Sequence, residues 1–238
     1  MNIVITGASR GLGKAMAEAF AAAGHHLYLI ARQPQSLYQT LEGLMNQYPS
    51  LTLKAQPFDL GTEAGAKAAG QWALQQAGRI DVLINNAGSF TPGSIHEEAD
   101  GALENLLQVN LMSAYHLTRQ VLPTMMSQEL QGGVRGHIIN ICSIASLQAY
   151  PQGGSYSISK YALLGFSKNL RLEMQPHAIK VTSVMPGAAY TDSWEGSGVS
   201  RARIMEAQDV AKMVLAATQL SASAVAEDII LRPQLGDL

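Results

Sequence analysis

Asn2-Ile3-Val4-Ile5-Thr6-Gly7-Ala8-Ser9-Arg10-Gly11-Leu12-Gly13 decides the fold. Its first half is an apolar run, as expected of a strand buried on both faces of a parallel sheet. Its second half carries glycines at Gly7, Gly11 and Gly13 and leads into an Ala-rich amphipathic stretch. Glycines so placed allow a tight turn, close approach of the backbone to a pyrophosphate, and close packing of helix on strand. The N-terminus of the following helix adds free N–H groups and partial positive charge. Gly7, Ser9, Arg10, Gly11, Leu12 and Gly13 are therefore candidate dinucleotide-binding residues, at the spacing Gly-x-x-x-Gly-x-Gly rather than Gly-x-Gly-x-x-Gly. A packing turn without a ligand is the alternative.

Outward from this turn the chain keeps alternating. Strand candidates fall at 2–6, 26–31, 51–58, 80–85, 136–143, 179–185 and 228–231, and helix candidates at 11–23, 34–48, 63–77, 100–128, 155–175 and 206–219. Such alternation predicts an α/β fold, a doubly wound parallel sheet with helices on both faces, and right-handed crossovers leave few topologies. No repeat or linker divides residues 1–238, so a single domain is expected. Two loops follow the carboxyl ends of strands, where open α/β sheets bind ligands. One covers 89–99; the other, at about 187–206, is rich in glycine and serine and reads as a substrate lid.

Composition excludes several classes. With 47% hydrophobic and 14% charged residues in a chain of 238, disorder is not expected. A formal charge of -2 gives no footprint for nucleic acid. No apolar run approaches the length of a membrane span. The start lacks the basic, apolar pattern of a secretory signal, and a single cysteine suits a reducing compartment, so a cytoplasmic location is expected.

The end of the second strand reads the cofactor. An acidic residue there would bond a ribose 2′-hydroxyl and favour NAD, but the chain has Ala31-Arg32 with Arg10 in the glycine turn. Two guanidiniums suit a 2′-phosphate, so NADP(H) is expected; two solvated arginines are the alternative.

Tyr156 and Lys160 stand four apart on a helix candidate and project from one face. A free tyrosine holds its proton to about pH 10, and a lysine cation nearby favours the tyrosinate, giving a usable general acid and base. Ser143 ends the fifth strand candidate, where its hydroxyl can hold a substrate oxygen. Read alone, the Tyr/Lys pair is a surface stack, Ser143 a strand cap and Asn110 a satisfied helix-interior amide.

Taken together, Thr6-Gly-x-x-x-Gly-x-Gly13, Asn85-Asn86-Ala87-Gly88, Asn110, Ser143, Tyr156-x-x-x-Lys160 and Pro186-Gly187 resemble the short-chain dehydrogenase/reductase family, in order over nearly the whole chain. The resemblance implies a Rossmann-type sheet of about seven strands and hydride transfer between NAD(P) and an alcohol or carbonyl. It implies that Tyr156 donates a proton in reduction, Ser143 polarises the carbonyl, Lys160 also binds the nicotinamide ribose, and Asn110 holds a water in a proton relay. By the same resemblance Asp59 and Leu60 lie near the adenine, and Asn86, Ala87 and Gly88 line its ribose or equally just stabilise the sheet. Pro186, Gly187, Ala189 and Thr191 would hold the carboxamide. Subunits would pair as a homodimer or homotetramer through the long fourth and fifth helices.

The substrate should lie among 90–95, 144–150 and 190–198. Ile144, Tyr150, Tyr190 and Trp194 make that pocket apolar and aromatic, suited to flat or hydrophobic carbonyl compounds, with Asp192 and Glu195 as optional polar anchors. Pro186-Gly187-Ala188-Ala189-Tyr190-Thr191 and the tail 227–238 are similar to bacterial sepiapterin reductase-like members of the family, which implies a pteridine side-chain ketone or a diketone. A 3-oxoacyl-acyl-carrier-protein reductase is the alternative, and a non-catalytic NADP-sensing regulator is a third reading. The histidines form no cluster with ligand spacing, so no metal is expected. Cys142 reads as core, and no Gly-x-Ser-x-Gly elbow surrounds Ser143.

Overall fold

In the computed structural model, which describes residues 1–191, 194 and 198–237, a parallel sheet collects strands from both ends of the chain. The strands are β1 (Asn2–Thr6), β2 (His26–Ala31), β3 (Leu53–Pro57), β4 (Val82–Asn85), β5 (Gly136–Ile141), β6 (Ile179–Pro186) and β9 (Asp228–Leu231). Their order is β3-β2-β1-β4-β5-β6-β9. β1 pairs with β2 from Asn2–His26 to Thr6–Ile30, and with β4 from Ile3–Val82 to Ile5–Ile84. The order reverses between β1 and β4, which opens a crevice at their carboxyl ends. This is the Rossmann-type α/β architecture expected.

Strand period two explains the layers. Ile3 and Ile5 face one side with Leu27, Leu29 and Ile84, against Met16 and Phe20 of α1 (Gly11–Ala22), Leu37 of α2 (Pro34–Gln47), and Val210 of α7 (Ala207–Thr218). Val4 faces the other side with Tyr28, Ile30 and Leu83. There it meets Ala69 of α3 (Glu63–Ala77), Leu117 of α5 (Ser113–Ser127) and Leu170 of α6 (Gly154–Met174).

The expected single helix at 100–128 is interrupted. α4 (Ala102–Leu107) passes through a π-helical turn at Gln108–Met112 before α5 begins. A π turn admits one more residue than an α turn and re-aims the side chains it carries, here Asn110. Several strand ends fall short of the sequence reading: β3 and β4 begin two residues later, and β5 ends at Ile141, two residues before Ser143. Polar and turn-forming residues already leave the ladder there. A short parallel pair, β7 (Ala189–Tyr190) with β8 (Met205–Glu206), was not expected and ties the two ends of the 187–206 segment together. Among the described residues, no helix is long and apolar enough to cross a membrane.

Candidate active site

The glycine turn at the carboxyl end of β1 fits a phosphate group on its own geometry. Gly7 and Gly11 have φ of +64° and +55°, a region where side chains are strained. A Cβ on Gly13 would stand 2.1 Å from the Gly7 carbonyl oxygen, so only glycine lets α1 close on the turn. No side chain caps the N-terminus of α1, which leaves its first N–H groups for an anion. A Cβ on Gly11 would meet Thr191 at 3.2 Å, so the loop after β6 passes over the turn. Leu12 and Ser9 are half-buried beside it.

Arg10 and Arg32 stand exposed at one side of this crevice. Asp59, also exposed, accepts from the Gly61 N–H at 3.0 Å, whereas Leu60 is buried in the core. Asn86 is spent largely on the fold. Its side-chain amide donates to the carbonyls of Thr6 at 2.9 Å and Gly7 at 3.2 Å. The Thr6 hydroxyl accepts from the N–H groups of Asn86 and Ala87, both at 2.9 Å. These bonds stitch the glycine turn to the end of β4, the sheet-stabilising alternative for that motif. Ala189 is buried in the core, and Gly187 donates its N–H to Leu231 at 2.7 Å.

Across the crevice α6 presents Tyr156 and Lys160 on one face. The Lys160 ammonium is buried, lies 5.9 Å from the centre of the Tyr156 ring and donates to the Ile141 carbonyl at 2.9 Å. A Cβ on Gly88 would stand 3.0 Å from Asn110 Oδ1 and 3.6 Å from Lys160 Nζ. The end of β4, the π turn and α6 therefore converge at one point. Phe90 meets the Tyr156 ring edge-on, with centroids 4.9 Å apart and planes at 84°.

Ser143 caps the short 3-10 turn Ile144–Ser146: its hydroxyl accepts from the Ala145 N–H at 3.1 Å while Ser146 Oγ accepts from the Ser143 N–H at 3.3 Å. This reciprocal cap holds the Ser143 rotamer and leaves its O–H free to donate. Asn110 has its side chain fully bonded within the fold. Oδ1 accepts from the Ser89 N–H at 2.7 Å, and Nδ2 donates to the Ser89 carbonyl at 3.0 Å and to Ser159 Oγ at 2.9 Å. Both amide hydrogens fasten the loop after β4 to α6.

Neighbouring ionisable groups are pushed away from neutral pH. Burial raises the Cys142 thiol to about 11 against the opposing pull of Lys160, which leaves little thiolate for a nucleophile. Burial, helped by the nearby Tyr156, raises the Tyr150 phenol to about 12.

A cavity of about 520 Å³ adjoins the first turn of α6, lined by Ile95, Tyr150, Ser157, Ile158 and Tyr161 among others. Of the residues expected to contact substrate, Tyr150 borders it, while Ile144, Tyr190 and Trp194 do not. Tyr190 is covered by Arg201, whose guanidinium lies 5.0 Å from the ring centre, and Trp194 donates its N–H to the Thr191 carbonyl at 2.9 Å. Asp192 and Glu195 lie outside the described residues.

Sequence reading missed two further contributors. Arg203 donates to the carbonyls of Gly236 and Asp237, each at 2.9 Å, and Asp237 also pairs with Arg232, which folds the tail against Gln148 and Gly187. Glu98, in the loop after β4, accepts from Ser155 at the start of α6. Neither contact leaves a local motif, because the partners are far apart in sequence.

Comparison with known proteins bears on all of this. A family model described as short chain dehydrogenase matches residues 1–200. A Monensin polyketide synthase putative ketoacyl reductase of Streptomyces virginiae is 37% identical over 79% of this chain and 70% of its own length. A Sepiapterin reductase of Chlorobaculum tepidum is 31% identical over 99% of this chain and 97% of its own. Other relatives are longer, and the match spans 58% of their length. Among solved structures, L-Sorbose reductase from Gluconobacter frateurii complexed with NADPH and L-sorbose superposes with a TM-score of 0.87 at 26% identity, over 96% of this chain and 94% of that one.

Proposed function

Because the chain belongs to the short-chain dehydrogenase/reductase family, we propose that it is an NADPH-dependent carbonyl reductase for apolar ketones or diketones, with residues 1–238 acting as one domain. The convergence of Tyr156, Lys160 and the glycine turn at one edge of the sheet carries the reading. When bound, the nicotinamide supplies the hydride that lands on the carbonyl carbon.

The chain's own groups handle the oxygen. Ser143, its rotamer held by the reciprocal cap, donates its free O–H to the carbonyl oxygen and orients it. Tyr156 gives its proton to the same oxygen as charge develops there. Lys160 sets its cation beside the phenol and has two N–H groups left after Ile141 for the nicotinamide ribose. Uncapped N–H groups of α1 hold the pyrophosphate, and Arg10 and Arg32 pair with a 2′-phosphate. Backbone groups of 86–88 and 187–191 face the ribose and carboxamide. Asn110 serves by fastening the loop that carries Phe90.

A sepiapterin-like ketone is favoured over an acyl thioester because the likeness to the Chlorobaculum tepidum protein runs through the tail, which here packs against Gly187 and Gln148. The ketoacyl reductase reading has its own support in the Streptomyces virginiae relative. Exposed Ile158, Tyr161 and Leu172 along α6 support pairing of subunits as a homodimer or homotetramer, and the single buried cysteine suits the cytoplasm.

NADPH oxidation with pteridine ketones, diketones and acyl thioesters tests the assignment. Turnover of the first two groups at higher kcat/KM supports it. A thioester preference replaces it with the alternative, and NADPH binding with no turnover in the whole panel favours a cofactor-sensing regulator.

A further inference from the structure

Gly153, which precedes α6, has no side chain to cap the helix that carries Tyr156. The cap arrives from 57 residues away: Glu98 Oε1 accepts from the Ser155 N–H at 2.8 Å, and Oε2 accepts from the Ser155 hydroxyl. Two glycines make room for it. A Cβ on Gly154 would stand 2.3 Å from Glu98 Oε1, and one on Gly93 would stand 2.7 Å from Glu98 Cγ. The Gly93 N–H donates to the Gln152 carbonyl at 3.0 Å, which draws the same loop onto the residues before the helix.

This loop also carries Phe90, whose ring meets Tyr156, and Ser89, whose backbone is held by Asn110. It therefore grips the start of α6 at the cap and the Tyr156 ring at its edge. We propose that Glu98 is a positioning residue: by capping the N-terminal turn of α6 from the loop after β4, it holds the Tyr156 hydroxyl in place for proton transfer. The inference rests on the carbonyl-reductase reading for its kinetic consequence and on geometry alone for the cap.

Charge and helix end suit each other. An anion at a helix N-terminus meets the partial positive charge there, and charge-assisted bonds are short and strong. The hydrogen bonds from Ser155 hold the Glu98 carboxyl below the usual carboxylate range, so it is ionised at neutral pH. Tyr156 directly follows Ser155, so its backbone moves with the capped turn. A displacement of about 1 Å in a reacting group can cost as much as about a hundred-fold in rate.

The experiment compares Glu98→Ala, Glu98→Gln and Ser155→Ala with the wild-type protein. Readouts are kcat and KM with an apolar diketone, the NADPH dissociation constant by fluorescence, and hydrogen exchange at the Ser155 amide. Glu98→Ala should lower kcat by about ten- to a hundred-fold, with NADPH affinity within about two-fold because the glycine turn is untouched. Glu98→Gln should recover most of the loss, since its amide oxygen still accepts from the Ser155 N–H. Exchange at Ser155 should accelerate in Glu98→Ala and stay slow in Glu98→Gln.

A folded Glu98→Ala protein with wild-type kcat overturns the proposal, as does a fall in kcat matched by an equal loss of NADPH affinity. If Glu98→Ala does not fold, Ser155→Ala decides: it removes only the hydroxyl bond, and an unchanged kcat overturns the proposal while a lowered kcat at constant NADPH affinity supports it. Should the wild-type protein turn over no carbonyl at all, the functional reading fails separately. Exchange at Ser155 then judges the cap, and equal rates in wild type and Glu98→Ala overturn it.

Discussion

At the amino end of the parallel sheet, Arg79 pairs with Asp81 at 2.5 Å and donates to the carbonyls of Glu129 at 2.8 Å and Arg135 at 3.3 Å. Asp81 in turn accepts from the Asn2 N–H at 2.7 Å, and Gln128 joins Ile80 to Arg135. At the carboxyl end Arg10 and Arg32 stand exposed, and the N-terminus of α1 has no side-chain cap. The same residue type closes the fold at one end and is left uncommitted at the other. Polar groups satisfied by their own chain stabilise it, whereas groups facing an open crevice are available to a ligand.

The sharpest way to break this contrast is at the carboxyl end. Tyr156→Phe should lower kcat by about 10²–10⁴-fold, the usual share of a general acid, with NADPH affinity and melting temperature nearly unchanged; steady-state kinetics and a titration check it. An unaltered rate would remove the phenol from the chemistry. Replacing both Arg10 and Arg32 by Gln should weaken NADPH binding by about 3 kcal/mol or more, from two charge-assisted bonds of about 1.5–3 kcal/mol each. NADH affinity should stay the same, so equal losses for both cofactors would count against a 2′-phosphate contact.

The amino end should respond the other way. Arg79→Ala should cost about 2 kcal/mol of stability, because it leaves partly buried acceptors unpaired, while kcat in the folded fraction is unchanged; urea unfolding and activity at low urea separate the two.

A pH dependence should come from His137, buried on β5 beside β6. Its Nε2 lies 2.7 Å from the Thr182 hydroxyl, which itself donates to the Ala226 carbonyl at 2.7 Å, so the imidazole Nε2–H is the donor. Burial, with Lys180 adding to it, lowers its pKa from 6.5 to about 3. Below pH 6.5 the unfolded chain binds a proton that the folded one refuses, so stability is full above that pH and falls as pH drops toward 3. The slope approaches about 1.4 kcal/mol per pH unit well inside that window. Urea midpoints measured from pH 7.5 to 4.5 should show the fall, and His137→Gln should flatten it.

Much of this was legible in the residues. Each strand of the main sheet overlaps an apolar run found by reading the chain, and the glycine turn and the Tyr156/Lys160 spacing were visible as local patterns. The interruption of the fourth helix was not. An Ala- and Leu-containing stretch reads as continuous helix by periodicity, whereas the fold has a π turn at Gln108–Met112 that carries Asn110, bonded to both Ser89 and Ser159. Asn86 and Asn110 show the same limit. Their positions were anticipated, but their amides are committed to Thr6, Gly7, Ser89 and Ser159, bonds that no spacing rule encodes. Of the aromatic residues singled out for the substrate side, Tyr150 borders the cavity beside α6, and Tyr190 lies under Arg201.

The linear order of residues thus determined the alternation of strands and helices, the glycine turn after β1 and the pairing of a phenol with an ammonium, because each depends on neighbours within one or two turns of chain. Tertiary packing alone decided that Glu98 caps the helix bearing Tyr156, that Asn110 serves as a fastener, and that the tail closes against Gln148 and Gly187. Those contacts join loops whose meeting depends on how seven strands order themselves in space, and backbone hydrogen-bonding groups at a helix end accept any suitably placed partner, whatever its distance along the chain.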